Sequence, residues 1–464
     1  MNTRVEPRPD MKNKHAVVIG GSIGGMLAAR VLADFFEHVT IIERDHYPEN
    51  PTQRSGVPQS YHITLLLPRG YEIIKGLFPG ITEEFRAEGF LETPTEPTML
   101  ANTSRGRGVG GPVGTEFFTS DRAVIDWSVH RHIMKRPEIE IRAGWEVTDL
   151  ITAPHLEMAD RLQVTGVQMR THGTDQKTAS LDADLVVDAS GCNTPMLKWL
   201  NKLGIEEPPI ETVTSNIGYS SRYYRKPTSY SEPWRMISHR TELSVNPYGV
   251  AMLSIRPDTW IVTLSGPGGL YPPTDEAGFQ QWIDKANAPD ILHALDGAEP
   301  ISPIRGFRVP VNRMRHYDQM SNLPKGLIAL GDALCHFNPL YGQGLSTSAI
   351  EAETLQACLS AENQQDLEER YHQRALQEIR SAWWLSVMDD LRQPAVSHTG
   401  LQQMGDIQMA HHYLDHLNAA KLNNKEISDT FGKVLALILP IQILFSSEIA
   451  AHVLQDSFPF LGKK

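Results

Sequence analysis

Ala16 to Ile19 is an apolar run too short and too uniform for an amphipathic helix. Such a run reads as a parallel strand buried on both faces. It breaks at Gly20, Gly21, Gly24 and Gly25, after which Ile23, Leu27 and Val31 recur at helical spacing. A second apolar run, Val39 to Ile42, ends in Glu43. Strand, glycine turn, helix and strand together predict a βαβ unit.

The same patterning divides the rest of the chain. Residues 1–14 are polar and charged and read as a mobile tail. Ser55-Gly56-Val57-Pro58 cannot be helical, and Ile63 to Leu67 look helical again. Residues 100–118 are glycine-rich, carry Arg105 and Arg107, and read as a loop or exposed hairpin. Ser120 or Asp121 can cap a helix that begins at Arg122. Residues 139–150 and 162–170 read as strands, and Asp182 to Asp188 as a strand running into the turn Ala189-Ser190-Gly191, with helical Met196 to Leu200 beyond.

From 206 to 300 short strand-like runs (Ile217 to Tyr224, Gly249 to Ile255, Trp260 to Leu264) alternate with Pro- and Gly-rich turns. They predict a separate antiparallel layer, followed by a helical stretch over 275–297. Leu327 to Leu330 returns to the buried-strand pattern. Gly331-Asp332-Ala333 and Pro339-Leu340-Tyr341-Gly342-Gln343-Gly344 follow, then a helix to about Leu359. Beyond 363 the pattern is mostly helical. Val434 to Phe445 is the longest apolar stretch, but Pro440 and Gln442 interrupt it well short of a membrane span. It predicts a buried helix pair, or else an interfacial or substrate-covering segment.

Composition narrows the class. A chain of 464 residues can hold two domains and a sizeable core. Its formal net charge of −12 argues against nucleic acid and anionic membrane surfaces as partners. Three cysteines, Cys192, Cys335 and Cys358, form no C-x-x-C pair and no disulfide framework, which fits a reducing cytoplasm. The His411-His412 pair has no companions at metal-ligand spacing.

Candidate chemistry begins at the glycine turn. Gly20 allows the tight exit from the strand, and Gly25 lets the helix approach the sheet. Ile23 and Gly24 lie in the first helical turn, whose free N–H groups face an expected pyrophosphate. Ser22 stands at the second glycine position of the G-x-G-x-x-G dinucleotide fingerprint. Glu43, with Arg44 beside it, sits at the tip of the second strand. A carboxylate there can bond ribose hydroxyls and disfavours the 2′-phosphate of NADP. Arg54 lies in a loop of the kind that meets a cofactor or substrate. Arg122 opens a helix, where the dipole disfavours a cation, so a partner such as a phosphate is expected for it. The turns at Gly20, at Asp188 to Gly191 and at Gly331 to Gly344 all follow buried strands. In a parallel sheet they would lie at one edge, able to take an extended ligand with a pyrophosphate, a sugar chain and a planar ring.

These three motifs resemble those of the para-hydroxybenzoate-hydroxylase-type flavoprotein monooxygenases. More narrowly, Ser55 to Gln59, the stretch Val311 to Asp318 containing Asn312, Arg313, His316 and Tyr317, and Gly331 to Gly344 resemble the bacterial flavin epoxidases of polyether biosynthesis, the lasalocid and monensin type. The resemblance spans roughly residues 14–360. It implies an α/β fold: a Rossmann-type FAD-binding domain, a mixed or antiparallel-sheet substrate domain and a helical C-terminal region. The corresponding division is 15–75, 119–205 and 301–362 for FAD, 76–118 and 206–300 for substrate, and 363–464 for the helical region.

The resemblance also implies FAD as cofactor. Gly20, Ser22, Gly25 and Glu43 would hold its ADP half, with Arg44, Arg54 and Val147 close by and Arg122 near the phosphates or ribityl chain. Asp332 would bind the ribityl hydroxyls. Gly191, Gly331, Pro339, Gly342, Gly344 and Leu345 would line the flavin. Two departures stand out: Ser22 replaces a glycine, and Cys192 stands where the family often has an arginine.

The implied chemistry is transfer of one oxygen atom from O2, through a flavin C4a-hydroperoxide, to an apolar polyketide-like substrate, giving an epoxide or hydroxyl. Electrons would come from NAD(P)H or a separate flavin reductase. A flavin dehydrogenase or oxidase is the rival, and a non-catalytic flavin- or nucleotide-binding regulator a second one. The Trp-x-Trp-x-Ile-Pro signature of flavin halogenases does not occur in the chain. No nucleophile is required; His336 and Tyr341, flanking the flavin helix, are the candidates for substrate contact. Tyr219, Tyr223, Trp234 and Trp260 are candidates for one wall of an apolar pocket.

Overall fold

Five short strands pair in parallel in the order Leu327–Ala329, Leu185–Asp188, His15–Ile19, His38–Glu43, Ile139–Ala143, the last an edge strand with Glu140 exposed. The computed structural model describes residues 13–457 except 93–97, 104–105, 111–117, 120, 157–160, 174–175, 240–245, 362–365, 394–395 and 402–405. The tail through residue 12, Arg105 and Ser120 therefore lie outside the described residues. Val17 is opposite Val186 on one side and Thr40 on the other, and all three are buried. The fold is mixed α/β, with a parallel sheet, a large second sheet and a helical C-terminal region.

Helices cover the parallel sheet because its strands His15–Ile19, Leu185–Asp188 and Leu327–Ala329 carry no polar face. Ile23–Leu32 packs on it, and Gly344–Ser360 packs in turn on Ile23–Leu32, on Pro68–Leu77 and on Leu367–Asp390. A three-stranded antiparallel sheet, Trp145–Pro154, Leu162–Thr171 and Thr178–Asp182, lies against the strands His38–Glu43 and Leu185–Asp188.

The second large sheet has the path Ile217–Arg225, Thr259–Gly266, Gly249–Arg256, Met236–His239, Met99–Thr103, Gly106–Gly110. The glycine-rich stretch near 100 is thus a hairpin added to this sheet. On the other side of Ile217–Arg225 pairs Arg305–Val309. The period-2 alternation gives the sheet two apolar faces. Tyr224, Trp260, Val262 and Met252 pack with Phe279, Trp282 and Ile283 of the helix Glu276–Ala286. Leu253, Ile255 and Ile261 pack toward Ile63 and Leu65.

Four local expectations change. Ile63 to Leu67 are not helical; the helix starts at Pro68, whose ring fits the first helical position. Upstream backbone bonds go to neighbours instead: Ile63 N–H to Thr263 Oγ1 and Leu67 N–H to Ser346 Oγ. Residues 139–150 form two strands in different sheets, because Gly144 at φ +77° turns the chain between them. The stretch 275–297 is two helices, Glu276–Ala286 and Pro289–Leu295, separated by Asn287 in a left-handed conformation at φ +51°. The apolar segment 434–445 is not a helix pair. Lys425–Leu435 ends there, Leu437 takes φ +60°, and a 3-10 turn runs over Ile441–Phe445. Among the described residues no helix is long and apolar enough to cross a membrane.

Candidate functional site

Three turns meet at the carboxyl ends of the strands His15–Ile19, Leu185–Asp188 and Leu327–Ala329. Gly20 has φ +96°, and a Cβ there would lie 2.5 Å from the Ala189 carbonyl oxygen, so the first turn touches the second. A Cβ on Gly25 would lie 1.9 Å from the Gly20 carbonyl oxygen, so the helix rests directly on the turn. A Cβ on Gly24 would lie 3.3 Å from Leu330, so the helix also abuts the third turn. Ile23 is buried as the first helical residue. Ser22 occupies the N-cap position without making a cap bond; its Oγ accepts from Arg122 Nη2 at 3.3 Å.

Two buried arginines bracket this turn. Arg122 Nε binds Asp126 Oδ1 at 2.7 Å, so the cation set against the dipole has a carboxylate partner one turn on, as well as its bond to Ser22. Asp121 caps the same helix, accepting from Val124 N–H. Arg54 Nη2 donates to the Gly21 carbonyl at 3.2 Å, while its buried Nη1 makes no hydrogen bond and lies 3.7 Å from Glu43. Glu43 accepts from Gly21 N–H at 2.7 Å and Asp45 N–H at 2.9 Å. Tyr47 donates to the Gly21 carbonyl at 2.7 Å, its ring lying between Arg54 and a stacked His130. Arg44 is exposed at the strand tip, and Val147 is half-buried on Trp145–Pro154.

At the third turn Gly331, at φ +67°, donates its N–H to Glu351 Oε2. Burial pushes the Glu351 carboxyl well up, against the bond from Gly331 N–H. Burial works against ionisation of Asp332 too. There the His336 ring, with Nδ1 3.2 Å from Oδ2, and Arg122 and Arg315 outweigh it and hold the carboxyl below its usual range. Arg315 is buried and ties two turns together: Nη1 donates to the Asp332 and Ala333 carbonyls, Nη2 to that of Cys192. The Cys192 thiol is pushed up by burial and by nearby Asp332, which disfavours its thiolate.

Gly342, at φ +64°, faces Leu65: a Cβ there would lie 2.8 Å from Leu65 Cβ. Pro339 is half-buried and Leu345 buried at the start of Gly344–Ser360, whose first turn carries no acidic residue. Added Cβ atoms on Gly344 and Gly191 would meet nothing within 4 Å, so both border open space. Tyr341 donates to Asp389 Oδ2 at 2.6 Å, which fastens its loop to the helix Leu367–Asp390. Of the aromatic candidates, Tyr219 and Tyr223 belong to the sheet face near Ile63 and Leu65. Trp260 packs in the opposite core, with Trp234 against it. His411 bonds the Met388 carbonyl, and His412 faces His416.

Patterning alone missed three groups. Arg315 and Asn312 fall inside a stretch already singled out, but no periodicity marks a side chain that reaches across to two turns. Asn312 and Asn338 both donate to Asp390, at 2.5 and 2.7 Å, and join the flavin-type loop to the C-terminal helix. Tyr47 carried no signal at all.

The buried Arg54, its Nη1 paired with Glu43 but making no hydrogen bond, lies beside a helix N-terminus, a combination whose charge and free donors suit an anion. The half-buried Asp332 carboxylate lies at the neighbouring turn and suits hydroxyls.

No family model matches the chain. The chain is 32% identical over 390 residues to Protein Rv3254 of Mycobacterium tuberculosis (strain ATCC 25618 / H37Rv), covering 81% of this chain and 80% of that one. Its structure resembles the flavin-dependent brominase Bmp2 with a TM-score of 0.67 at 16% identity, over 97% of this chain and 100% of that chain. It also resembles p-nitrophenol 4-monooxygenase PnpA from Pseudomonas putida DLL-E4 with a TM-score of 0.60 at 16% identity, over 92% and 99%.

Proposed function

The chain belongs to the family of Mycobacterium tuberculosis Protein Rv3254, and from that premise and the geometry of the three turns we propose that it is an FAD-dependent monooxygenase. In this role it adds one oxygen atom from O2 to an apolar, polyketide-like substrate, as epoxide or hydroxyl. The observation that carries it is the meeting of the Gly20, Gly191 and Gly331 turns at one sheet edge, with Arg54 Nη1 left without a hydrogen bond beside them.

In this reading Gly20, Ser22, Ile23, Gly24 and Gly25 receive the pyrophosphate. Arg54 and Arg122 neutralise it, and Glu43 takes the adenosine ribose. Asp332 binds the ribityl hydroxyls. Gly344 and Leu345 would offer the first N–H groups of their helix to the ring, and Gly342, its own N–H bonded to the Pro339 carbonyl, would shape the turn before it. Reduced FAD supplies O2 activation when bound. The chain's own work is to orient and to exclude water. Leu65 closes against Gly342, and Arg315 holds the Cys192 and Asp332 turns at a fixed separation. His336 fixes the charge on Asp332. Electrons come from NAD(P)H or a separate flavin reductase.

The test uses purified protein supplied with FAD, a chemical flavin reductant, 18O-labelled O2, bromide and a panel of polyenes and aromatic polyketides. Yellow protein and label in the product support oxygenation. Brominated product favours the halogenase chemistry in the name of Bmp2. Unlabelled, dehydrogenated product with stoichiometric H2O2 replaces monooxygenation by dehydrogenation. Protein that takes up no FAD removes the reading altogether.

A further inference from the structure

The sheet face nearest the Gly342 loop carries two buried polar atoms with no hydrogen-bond partner. One is Nε2 of His62, which is 6% exposed; the other is the hydroxyl of Tyr219, which is 7% exposed. The two rings lie 6.4 Å apart, and Phe307 lies 5.5 Å from His62. Tyr219 stands on Ile217–Arg225 and His62 in the segment that runs on to Leu65, the residue in contact with Gly342. An unpaired buried donor or acceptor costs about 1–3 kcal/mol, and two side by side are retained against that cost.

His62 is set up for this position. Its Nδ1 is bonded to Ser221 Oγ at 2.8 Å, and Ser221 Oγ meets Thr263 Oγ1 at 2.6 Å. The hydroxyl pair can turn either way, so the ring takes either tautomer and Nε2 either donates or accepts. Burial pushes the imidazole down to about 4 with no charged neighbour acting on it, so it is neutral at physiological pH. Burial and the more distant Asp390 push the Tyr219 hydroxyl well up, so it too stays neutral.

We propose that His62 and Tyr219 are the polar anchor of the substrate pocket, and that they select a neutral oxygen, a hydroxyl or carbonyl, on an otherwise apolar ring or chain, against a carboxylate. This deepens the monooxygenase reading and rests on it for the location of the reacting ring. Two uncharged groups in an apolar wall pair with a neutral oxygen but cannot offset the desolvation of an anion. Both atoms lie against the segment that runs on to Leu65, so a ligand that reaches the Gly342 contact from this face meets them together.

The test is isothermal titration of the full chain, with and without FAD, using 2-naphthol, naphthalene and 2-naphthoate as probes. Wild type is expected to bind 2-naphthol about tenfold more tightly than naphthalene, the worth of one good hydrogen bond, and 2-naphthoate most weakly. Tyr219→Phe and His62→Phe are each expected to reduce the naphthol preference to within about threefold of none, with naphthalene binding retained. Tyr219→Phe is also expected to leave the melting temperature unchanged or higher, because it removes an unpaired buried hydroxyl. A purely structural hydroxyl would give a lower one. Equal binding of naphthol and naphthalene by wild type, no binding of either, preference for naphthoate, or a preference that survives both substitutions overturns the proposal. These outcomes are read without turnover. Failure of labelled-oxygen incorporation therefore sinks the monooxygenase reading separately.

Discussion

Single atoms decide most at the glycine turn. A methyl group on Gly25 has no free space, since 1.9 Å separates it from the Gly20 carbonyl. Gly25→Ala must push the helix Ile23–Leu32 off the strand, at an overpacking cost of about 1–3 kcal/mol. The expected result is a lower melting temperature and purified protein without flavin absorbance. Arg54 makes the opposite case. Its Nη1 pairs with Glu43 at 3.7 Å but makes no hydrogen bond, so it keeps a donor for a second anion. Arg54→Gln is expected to lower FAD affinity at least about tenfold, the equivalent of 1.4 kcal/mol, and to lower the melting temperature of the flavin-free protein, because Glu43 loses its buried partner. Flavin-release titrations and thermal melts of the same preparations check both halves.

Between elements, buried side chains do what backbone ladders cannot. Arg315 joins two turns from different strands, and Asp390 joins the helix Leu367–Asp390 to Asn312 and Asn338. Burial raises the Asp390 carboxyl to about 6, although Asn312, Asn338 and Ser215 bond it. The folded protein therefore holds this proton more tightly than the unfolded chain. The resulting stabilisation is complete below the unfolded value of about 4 and is lost as pH rises through about 6, for a total of about 3 kcal/mol. Asp390→Asn is expected to be more stable than wild type at pH 8 and to flatten the difference in stability between pH 4 and 6. Denaturant melts of both proteins at several pH values check the sign.

On the scale of the whole molecule, the parallel sheet and its helices form one continuous apolar core, while the second sheet has its own core behind Trp260 and Phe279. The proposed flavin site lies where turns of the first meet the segment 61–67 that borders the second. A ligand bound there stabilises the native state by mass action, about 2.7 kcal/mol at a hundredfold excess over its Kd. For a chain of this length that is on the order of 3 °C in melting temperature. FAD is expected to give this shift, and NADP a smaller one, because Glu43 lies where a 2′-phosphate would have to sit. Amide exchange should slow most at Ile23, Gly24 and Gly344, in the first turns of the two helices that face the site. A uniform slowing across the second sheet would place the ligand elsewhere.

The sequence by itself determined the strands and the turns that follow them. Buried parallel strands are written as local apolar runs, and glycine is required wherever a Cβ would lie within 3 Å of a neighbouring backbone, as at Gly20 and Gly25. Asp121 as a helix cap and the start of Gly344–Ser360 were legible for the same reason: their partners are a few residues away. Local pattern misled where bonds leave the segment. Ile63 to Leu67 has helical composition, yet its N–H groups are taken by Thr263 and Ser346 from distant parts of the chain. Tertiary structure alone decided that Arg315 spans two turns, that Tyr47 closes on Gly21, and that Tyr219 and Trp260 face opposite ways. It also brought His62 to Tyr219 across more than 150 residues of chain. No periodicity encodes such meetings, because they depend on how two sheets are set against each other.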